Sequence, residues 1–349
     1  MSPRTPITAL RRRPRRRRNP RRSPVTTCCS PAAAEQATAV SPMLWLLRTS
    51  MSRRILSLIN RMALNSNGDG LICAMETPMV CRWFDWDQNK SSEIHKLSLK
   101  LSEKVLSQLE DVGQQLALAF NNDGTALAAG GEDGNLRVFK WPSMEIILNE
   151  TNAHSSLKDL HFSSDGKLLA SLGSGGPCKV WDVSSSMVLS SLSNENRETF
   201  SSCRFSQTND ETLILYIAAM TDKGGSILTW NTQTWERMAS KHIIRDPISA
   251  FNVSADGKFL ACGTPSGDIV VVNSTNMQIH TMIKKAHLGI VTALAFSPDS
   301  RAVASVSMDS SARVTIIEEK KTNGLSLWIA LFIILLAVAA YFLRQEIEK

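Results

Sequence analysis

An internal repeat limits the fold of this chain more than any other feature of its sequence. The clearest unit is LHFSSDGKLLAS at residues 160–171, which continues to KVWD at residues 179–182. Copies of this unit start at residues 63, 118, 203, 251 and 294. The turn glycines give the period, since 42 residues separate Gly124 from Gly166 and 91, or two repeats, separate Gly166 from Gly257.

Each unit predicts short strands joined by turns. Apolar residues alternate at Leu160, Phe162, Leu168 and Ala170, as they do in strands with a buried face. The Asp-Gly pairs suggest two-residue hairpin turns in which both central residues tolerate positive φ. One such unit cannot cover its two faces alone, whereas radial stacking covers both. The sequence therefore predicts an all-β WD-repeat β-propeller with six recognisable blades over residues 61–318.

Two histidines fit this repeat. His154 precedes the blade that ends with Trp181 and Asp182, and His287 precedes the last unit, with Asp309 in range. WD repeats commonly place a histidine here, bonded to a serine on a strand and an aspartate in a turn. Because buried polar groups are nearly always paired, we predict structural hydrogen bonds for these five residues rather than catalysis.

No pattern for bond chemistry emerges from the sequence. It contains no Walker loop, no zinc-ligand set and no Gly-x-Ser-x-Gly motif. Glycine pairs at residues 130–131, 175–176 and 224–225 fall where blade turns are expected. We therefore predict no catalytic residue, no metal, no cofactor and no small-molecule substrate.

The charge is unevenly distributed. Residues 1–54 contain thirteen arginines and one acid, so subtracting their +12 from the net charge of +7 leaves −5 for the remainder. This arginine-rich arm lacks apolar periodicity and is predicted to be disordered. A solvated tail, a nuclear or nucleic-acid-binding tract, an organellar transit peptide and foreign sequence all remain open for it. The acidic balance of the remainder argues against nucleic acid as a partner.

An uncharged segment near the C-terminus predicts a membrane anchor. Residues 325–343 would span about 28 Å as a helix, close to the hydrocarbon thickness of a bilayer. Characteristic residues of this predicted span are Leu325, Trp328, Leu335, Tyr341 and Leu343. Trp328 and Tyr341 lie near its two ends, as interfacial aromatics do. We expect a cytosolic propeller, a single pass through a thin membrane such as that of the endoplasmic reticulum, and a lumenal tail at residues 344–349.

Three runs resemble one protein family, at residues 127–138 followed by Trp-Pro-Ser at 141–143, at 153–160 and at 286–292. Residues 61–349 resemble the Sec-twelve-like family, which includes the prolactin regulatory element-binding protein and the plant phosphate transporter traffic facilitators. The resemblance implies a protein of the endoplasmic reticulum membrane that promotes GDP release from the Sar-type small GTPase. That GTPase starts COPII vesicle formation and transport to the Golgi. Such a factor expels the nucleotide by binding the nucleotide-free GTPase in preference to the GDP form.

The sequence departs from this family in its first blade. Members have seven blades, and a glycine-rich, potassium-binding loop with a nearby asparagine projects from the first. This sequence has no such segment, so no exchange residue and no potassium site can be assigned. Three hypotheses follow: a Sar-type exchange factor, a scaffold without exchange activity that helps membrane cargo such as phosphate transporters leave the endoplasmic reticulum, and a nuclear or nucleic-acid-associated protein.

Overall fold

The computed structural model describes residues 59–76, 79–86, 99–104, 106–195, 197–206 and 213–318, with residues 332 and 334–336. The predicted arm at residues 1–54, most of the predicted span at 325–343 and the tail at 344–349 lie outside the described residues. The fold below therefore concerns the repeat region.

The described region forms six antiparallel sheets, each a meander of consecutive strands. The strands are β1 (Ile59–Leu64), β2 (Gly70–Met75), β3 (Cys81–Trp86), β4 (Leu99–Leu101), β5 (Gln115–Phe120), β6 (Ala126–Gly131), β7 (Leu136–Lys140), β8 (Glu145–Glu150), β9 (Leu157–Phe162), β10 (Leu168–Gly173), β11 (Cys178–Asp182), β12 (Met187–Leu192), β13 (Thr199–Phe205), β14 (Ile214–Thr221), β15 (Gly224–Asn231), β16 (Arg237–Ile244), β17 (Ala250–Val253), β18 (Phe259–Gly263), β19 (Ile269–Asn273), β20 (Ile279–Ile283), β21 (Val291–Phe296), β22 (Ala302–Ser307) and β23 (Ala312–Ile316). A 3-10 helix, Ser107–Leu109, lies between β4 and β5. The first five sheets have four strands and the last has three.

These sheets are the blades of a propeller, numbered 1 to 6 in chain order. The first strand of each blade packs against the first strand of the next, from β1 to β5, β9, β13, β17 and β21. The first strands therefore line a central channel and the last strands form the rim. The predicted six-bladed, nearly all-β propeller is confirmed.

Buried apolar side chains fill the spaces between neighbouring blades. On β10, Leu169 packs toward blade 2, whereas the next residue, Ala170, packs toward blade 4. Ile72 and Trp83 of blade 1 meet Leu127 of blade 2 in the same way. Because successive strand residues point to opposite faces, the alternating pattern buries both faces of a blade.

The turns between the first and second strands differ from the predicted two-residue hairpins. In blade 3, Ser163 donates its N–H to the Leu168 carbonyl at 2.8 Å, which leaves four residues in the turn. Only Gly166 among them has positive φ, at 71°. The Asp165 carboxylate instead accepts hydrogen bonds from the Ser163 hydroxyl at 2.5 Å and the Lys167 N–H at 3.1 Å. The prediction was wrong because aspartate is used here as an acceptor, and only the glycine supplies the left-handed conformation.

The ring is least complete between its last and first blades. Within the described ranges, β23 has no strand partner on its outer edge, and Val314 and Ile316 of this strand are about half exposed. Over the same ranges, β21 and β1 lack the close packing that joins the other first strands. Over the described residues, β23 therefore lacks the fourth strand that the other blades have, and such an edge can pair with another strand.

The membrane prediction concerns a part of the chain that is mostly undescribed. Among the residues that the structure does describe, no helix is long and apolar enough to cross a membrane. Residues 332 and 334–336 are helical, and each of their apolar side chains is more than half exposed.

Candidate functional site

The histidine of blade 3 belongs to a buried hydrogen-bonded set. His154 Nε2 lies 2.8 Å from the hydroxyl of Ser171 on β10, and Trp181 Nε1 on β11 donates to the same hydroxyl at 2.8 Å. Ser171 and Trp181 are fully buried. One serine thus connects the loop before the blade to its second and third strands.

The histidine of blade 6 belongs to a longer chain of contacts. His287 Nδ1 lies 2.7 Å from the Ser311 hydroxyl, and Nε2 lies 2.8 Å from the Ser305 hydroxyl. Ser311 donates its hydroxyl to Asp309 at 2.6 Å. Asp309 also accepts the Leu288 N–H at 2.7 Å, so the turn after β22 holds the loop before β21.

These contacts define the tautomer of His287. The proton of Ser311 is directed to Asp309, so its oxygen must accept from Nδ1–H of the imidazole. Nε2 is then the acceptor and takes the proton of Ser305. Burial lowers the pKa of His287, whereas the hydrogen bonds from Ser311 and Leu288 lower the pKa of Asp309. The 3.6 Å contact between the two side chains therefore joins a neutral imidazole to a carboxylate.

The blade 6 set contains a serine, a histidine and an aspartate, which are the residue types of a catalytic triad. Ser305 is 0% exposed and His287 is 1% exposed, so no substrate can reach the serine oxygen. The residues that would have to react are occupied in holding strands and loops together. The arrangement is chemically a structural hydrogen-bond set.

Asp182 lies apart from both histidines. Its carboxylate accepts the Ser184 N–H at 2.8 Å and the Ser184 hydroxyl at 2.5 Å, directly after β11. These two hydrogen bonds lower the pKa of Asp182. The structure thus brings Trp181 to His154 and Asp309 to His287, and places Asp182 in a separate turn.

A glycine of the preceding blade supports each histidine loop. His154 donates its N–H to Gly134 of blade 2 at 3.0 Å, and His287 donates to Gly267 of blade 5 at 3.0 Å. Both glycines have positive φ, and a Cβ on either would collide with the carbonyl of the histidine it supports. Sequence reasoning missed this link, although Gly-Asn and Gly-Asp at these two turns signalled it.

The blade 6 contacts also present an apolar surface to solvent. Leu288 is 94% exposed, Met308 is 70% exposed, and Ile290 between them is 40% exposed. Met308 donates its N–H to the Ile290 carbonyl at 3.0 Å, which holds the two segments together. We call Leu288, Ile290 and Met308 the blade 6 patch. Exposed apolar groups held on a rigid frame are typical of protein-binding surfaces.

The opposite end of the ring carries the serine-aspartate turns. Neighbouring turns touch there, because the Ser66 hydroxyl donates to the Asn121 carbonyl at 2.9 Å and the Asp256 N–H donates to the Ser300 hydroxyl at 3.1 Å. We call this end the turn face and the end with the histidine loops the loop face. The blade 6 patch lies on the loop face.

Across the part of the chain that the structure describes, no three His, Cys, Asp or Glu side chains are grouped to hold a metal ion.

The serines that complete the two histidine sets, Ser171 and Ser305, occupy the same position of the repeat. That shared position was the signal available for them in the sequence.

Comparison with known proteins agrees with the observed blades. The family model described as "WD domain, G-beta repeat" matches residues 110–140, 146–182 and 277–315. These segments fall on blades 2, 3 and 6, and the last two contain the histidine sets.

Similarity to complete proteins extends further along the chain. SEC12-like protein 2 of Arabidopsis thaliana is 56% identical over 260 residues, which are 74% of this chain and 65% of that protein. SEC12-like protein 1 of Arabidopsis thaliana is 33% identical over 250 residues, 70% of this chain and 63% of that protein. Guanine nucleotide-exchange factor SEC12 of Rattus norvegicus is 26% identical over 289 residues, 74% of this chain and 69% of that protein.

The chain spans just under two thirds of the length of the two Arabidopsis relatives. On the 56% identity, this chain is similar to SEC12-like protein 2, and its described blades are those of a WD-repeat propeller.

Proposed function

We propose that this protein is a guanine-nucleotide exchange factor for the Sar-type small GTPase at the endoplasmic reticulum membrane, initiating COPII vesicle formation. The observation that carries the proposal is the similarity over 289 residues to a relative named guanine nucleotide-exchange factor SEC12. A mouse relative of the same name is 25% identical over 287 residues. The relatives favour neither the nuclear hypothesis nor the cargo scaffold.

The chemistry of the propeller is compatible with this activity. Exchange makes and breaks no covalent bond, and it needs only a surface that binds the nucleotide-free GTPase more tightly than the GDP form. In the blade 3 and blade 6 polar sets, Ser171, Trp181, Ser305 and His287 are buried, and their hydrogen bonds hold loops and strands of the frame together. A rigid frame that presents loops is suited to such differential binding.

The blade 6 patch is the proposed contact surface for the GTPase. Its three side chains expose apolar area on the loop face, and Asp309 fixes the loop that carries Leu288. Met187 of β12 is 65% exposed on an outer strand, outside the blade 6 patch, and serves as comparison.

The proposed membrane attachment orients the propeller. Ile317 donates its N–H to the Arg301 carbonyl at 2.8 Å, next to the turn face. Residues 319–324 can extend by about 20 Å before the apolar segment at 325–343 begins. The turn face would then lie toward the membrane and the loop face toward the cytosol, with residues 344–349 in the lumen.

Measuring GDP release from purified Sar-type GTPase tests the proposal. The full chain is reconstituted in liposomes, and release of a fluorescent GDP analogue is followed with and without it. Leu288→Asp and Met308→Asp alter the proposed contact, and Met187→Asp makes the same kind of change on the rim. We expect many-fold acceleration by the wild-type chain and by Met187→Asp, and much less by the two patch variants.

The outcomes separate the activity from the surface. Acceleration that survives both patch variants would support exchange and reject the blade 6 patch as its contact. No acceleration by a folded wild-type chain would reject exchange and support the cargo scaffold.

In blade 1 the turn between β1 and β2 closes at Asn65 and Gly70, so no long loop projects there.

A further inference from the structure

A polar cavity occupies the central channel. Its volume is about 150 Å³, and side chains from the first strands of blades 1, 3, 4, 5 and 6 line it. One water molecule needs only ~10–15 Å³ of such volume, so the cavity can hold a small polyatomic ligand. Four charged residues contribute to its wall: Arg61, Lys158, Asp159 and Arg204.

The single acid in this wall already has partners. Asp159 Oδ2 accepts from Arg204 Nη1 at 2.6 Å and from the Cys203 N–H at 2.9 Å. Arg204 and Asp159 therefore neutralise one another. Two further cations, Arg61 and Lys158, give the wall a net charge of +2.

These two cations retain unused donors. Arg61 donates Nε to the Leu116 carbonyl at 2.7 Å, and among the described residues neither terminal nitrogen of its guanidinium has a hydrogen-bond acceptor. Over the described residues, Lys158 Nζ has no hydrogen-bond acceptor and no carboxylate within ion-pair distance. Burial lowers the pKa of Lys158, and the charge of Asp159 opposes that shift only in part. The cavity thus holds positive charge that the surrounding protein does not balance.

The hydroxyls of the wall contribute less. Ser201 donates to the Ala218 carbonyl at 3.0 Å, and Ser249 donates to the Val291 carbonyl at 2.7 Å. The protons of these two hydroxyls are committed to the backbone, so the charged recognition of a ligand falls to the cations. A guanidinium and an ammonium that both line a polar cavity match a doubly charged oxyanion, since arginine binds phosphate oxygens in a fork and lysine binds them as a point charge.

We propose that the central cavity of the propeller binds a phosphate group through Arg61 and Lys158. The group is inorganic phosphate or the phosphate of a small phosphorylated molecule, and the chemistry of recognition is the same for both. Long nucleic acids do not fit a cavity of this size. Because residues 55–349 carry a net charge of −5, binding depends on the local wall rather than on a general attraction of anions.

Isothermal titration calorimetry on the full chain in detergent tests this assignment. One arm titrates inorganic phosphate and a second titrates inositol hexakisphosphate, both at constant ionic strength set with chloride. The variants are Lys158→Gln, which removes the charge, and Lys158→Arg, which keeps it. Lys167→Gln is the matched control, because its side chain is 78% exposed on the turn face.

We expect saturable binding that Lys158→Gln weakens about tenfold or more, since one charge-assisted contact is lost. Lys158→Arg and Lys167→Gln should bind within about threefold of wild type. Binding of only the inositol compound would support a phosphorylated organic ligand. No saturable binding of either probe by folded wild-type chain, or equal weakening by Lys158→Gln and Lys167→Gln, would overturn the proposal. Near-ultraviolet circular dichroism verifies that each variant is folded. If Lys158→Gln is not folded, Arg61→Gln removes the charge of the other cation and should weaken binding to the same extent.

Discussion

Replacing Ser171 by alanine tests whether the blade 3 polar set stabilises the propeller. The change removes one oxygen from a site that is 0% exposed. That oxygen accepts from Trp181 Nε1 and pairs with His154 Nε2, each at 2.8 Å. Among the described residues, the Ser171 hydroxyl is the hydrogen-bond partner of both Trp181 Nε1 and His154 Nε2, so the change removes the partner of each.

The expected cost follows from counting the groups left unpaired. A buried donor or acceptor without a partner costs about 1–3 kcal/mol, so two such groups cost about 2–6 kcal/mol. For a domain of this size each kcal/mol lowers Tm by roughly 2–4 °C. The Ser171→Ala variant should therefore melt roughly 4–24 °C below wild type.

The assay is thermal unfolding of the full chain, followed by circular dichroism of the sheet. Ser191→Ala on β12 is the matched control, because that serine lies exposed on the same blade. We expect the control to melt within ~2 °C of wild type, as surface substitutions usually change stability by less than about 0.5 kcal/mol. Equal Tm values for the two variants would refute the claim that this buried set contributes to stability.

Two further predictions concern other polar contacts. Burial, with a smaller contribution from Lys179, lowers the pKa of His154 to about 4, below the ordinary value near 6.5. Between pH 6.5 and 4 the unfolded chain then binds more protons than the folded chain, so the free energy of unfolding should fall as the pH falls through this window. In His154→Gln the free energy of unfolding, measured with urea, should fall less steeply. Parallel pH curves for wild type and variant would contradict this. Glu198 is 5% exposed and accepts from Arg237 Nη1 at 3.1 Å and Nη2 at 2.6 Å. Glu198→Ala should lower the free energy of unfolding by about 3–5 kcal/mol. Glu195 is an exposed partner of the same arginine, and Glu195→Ala should lower the free energy of unfolding by less than about 1 kcal/mol.

Most of the fold was predictable from the repeat, because the repeat sets three structural requirements together. Period-two apolar residues predict strands, a 42-residue spacing predicts blades, and two uncovered faces require a ring. The turns were predicted less well, because Asp165 could equally have served as a flexible turn residue or as an acceptor. Only the observed backbone distinguishes these two uses.

The polar sets were predictable only where one repeat contains its own partners. Ser305 and Asp309 lie in the same blade as the strands they serve, so spacing alone brought them near His287. Gly134 supports His154 from the preceding blade, and Arg61 and Lys158 line the same cavity from different blades. Such contacts depend on the curvature of the ring, which a linear sequence does not express.

The fold and the proposed exchange activity can be tested separately. The two histidine sets lie within blades 3 and 6 and at their junctions with blades 2 and 5. Blade 1 meets blade 2 through other contacts, such as the Ser66 hydroxyl that donates to the Asn121 carbonyl at 2.9 Å. A change in the loops that the frame presents can therefore leave the frame itself intact. A stable propeller alone consequently says nothing about exchange, and GDP release from the GTPase is the measurement that decides between an exchange factor and a scaffold.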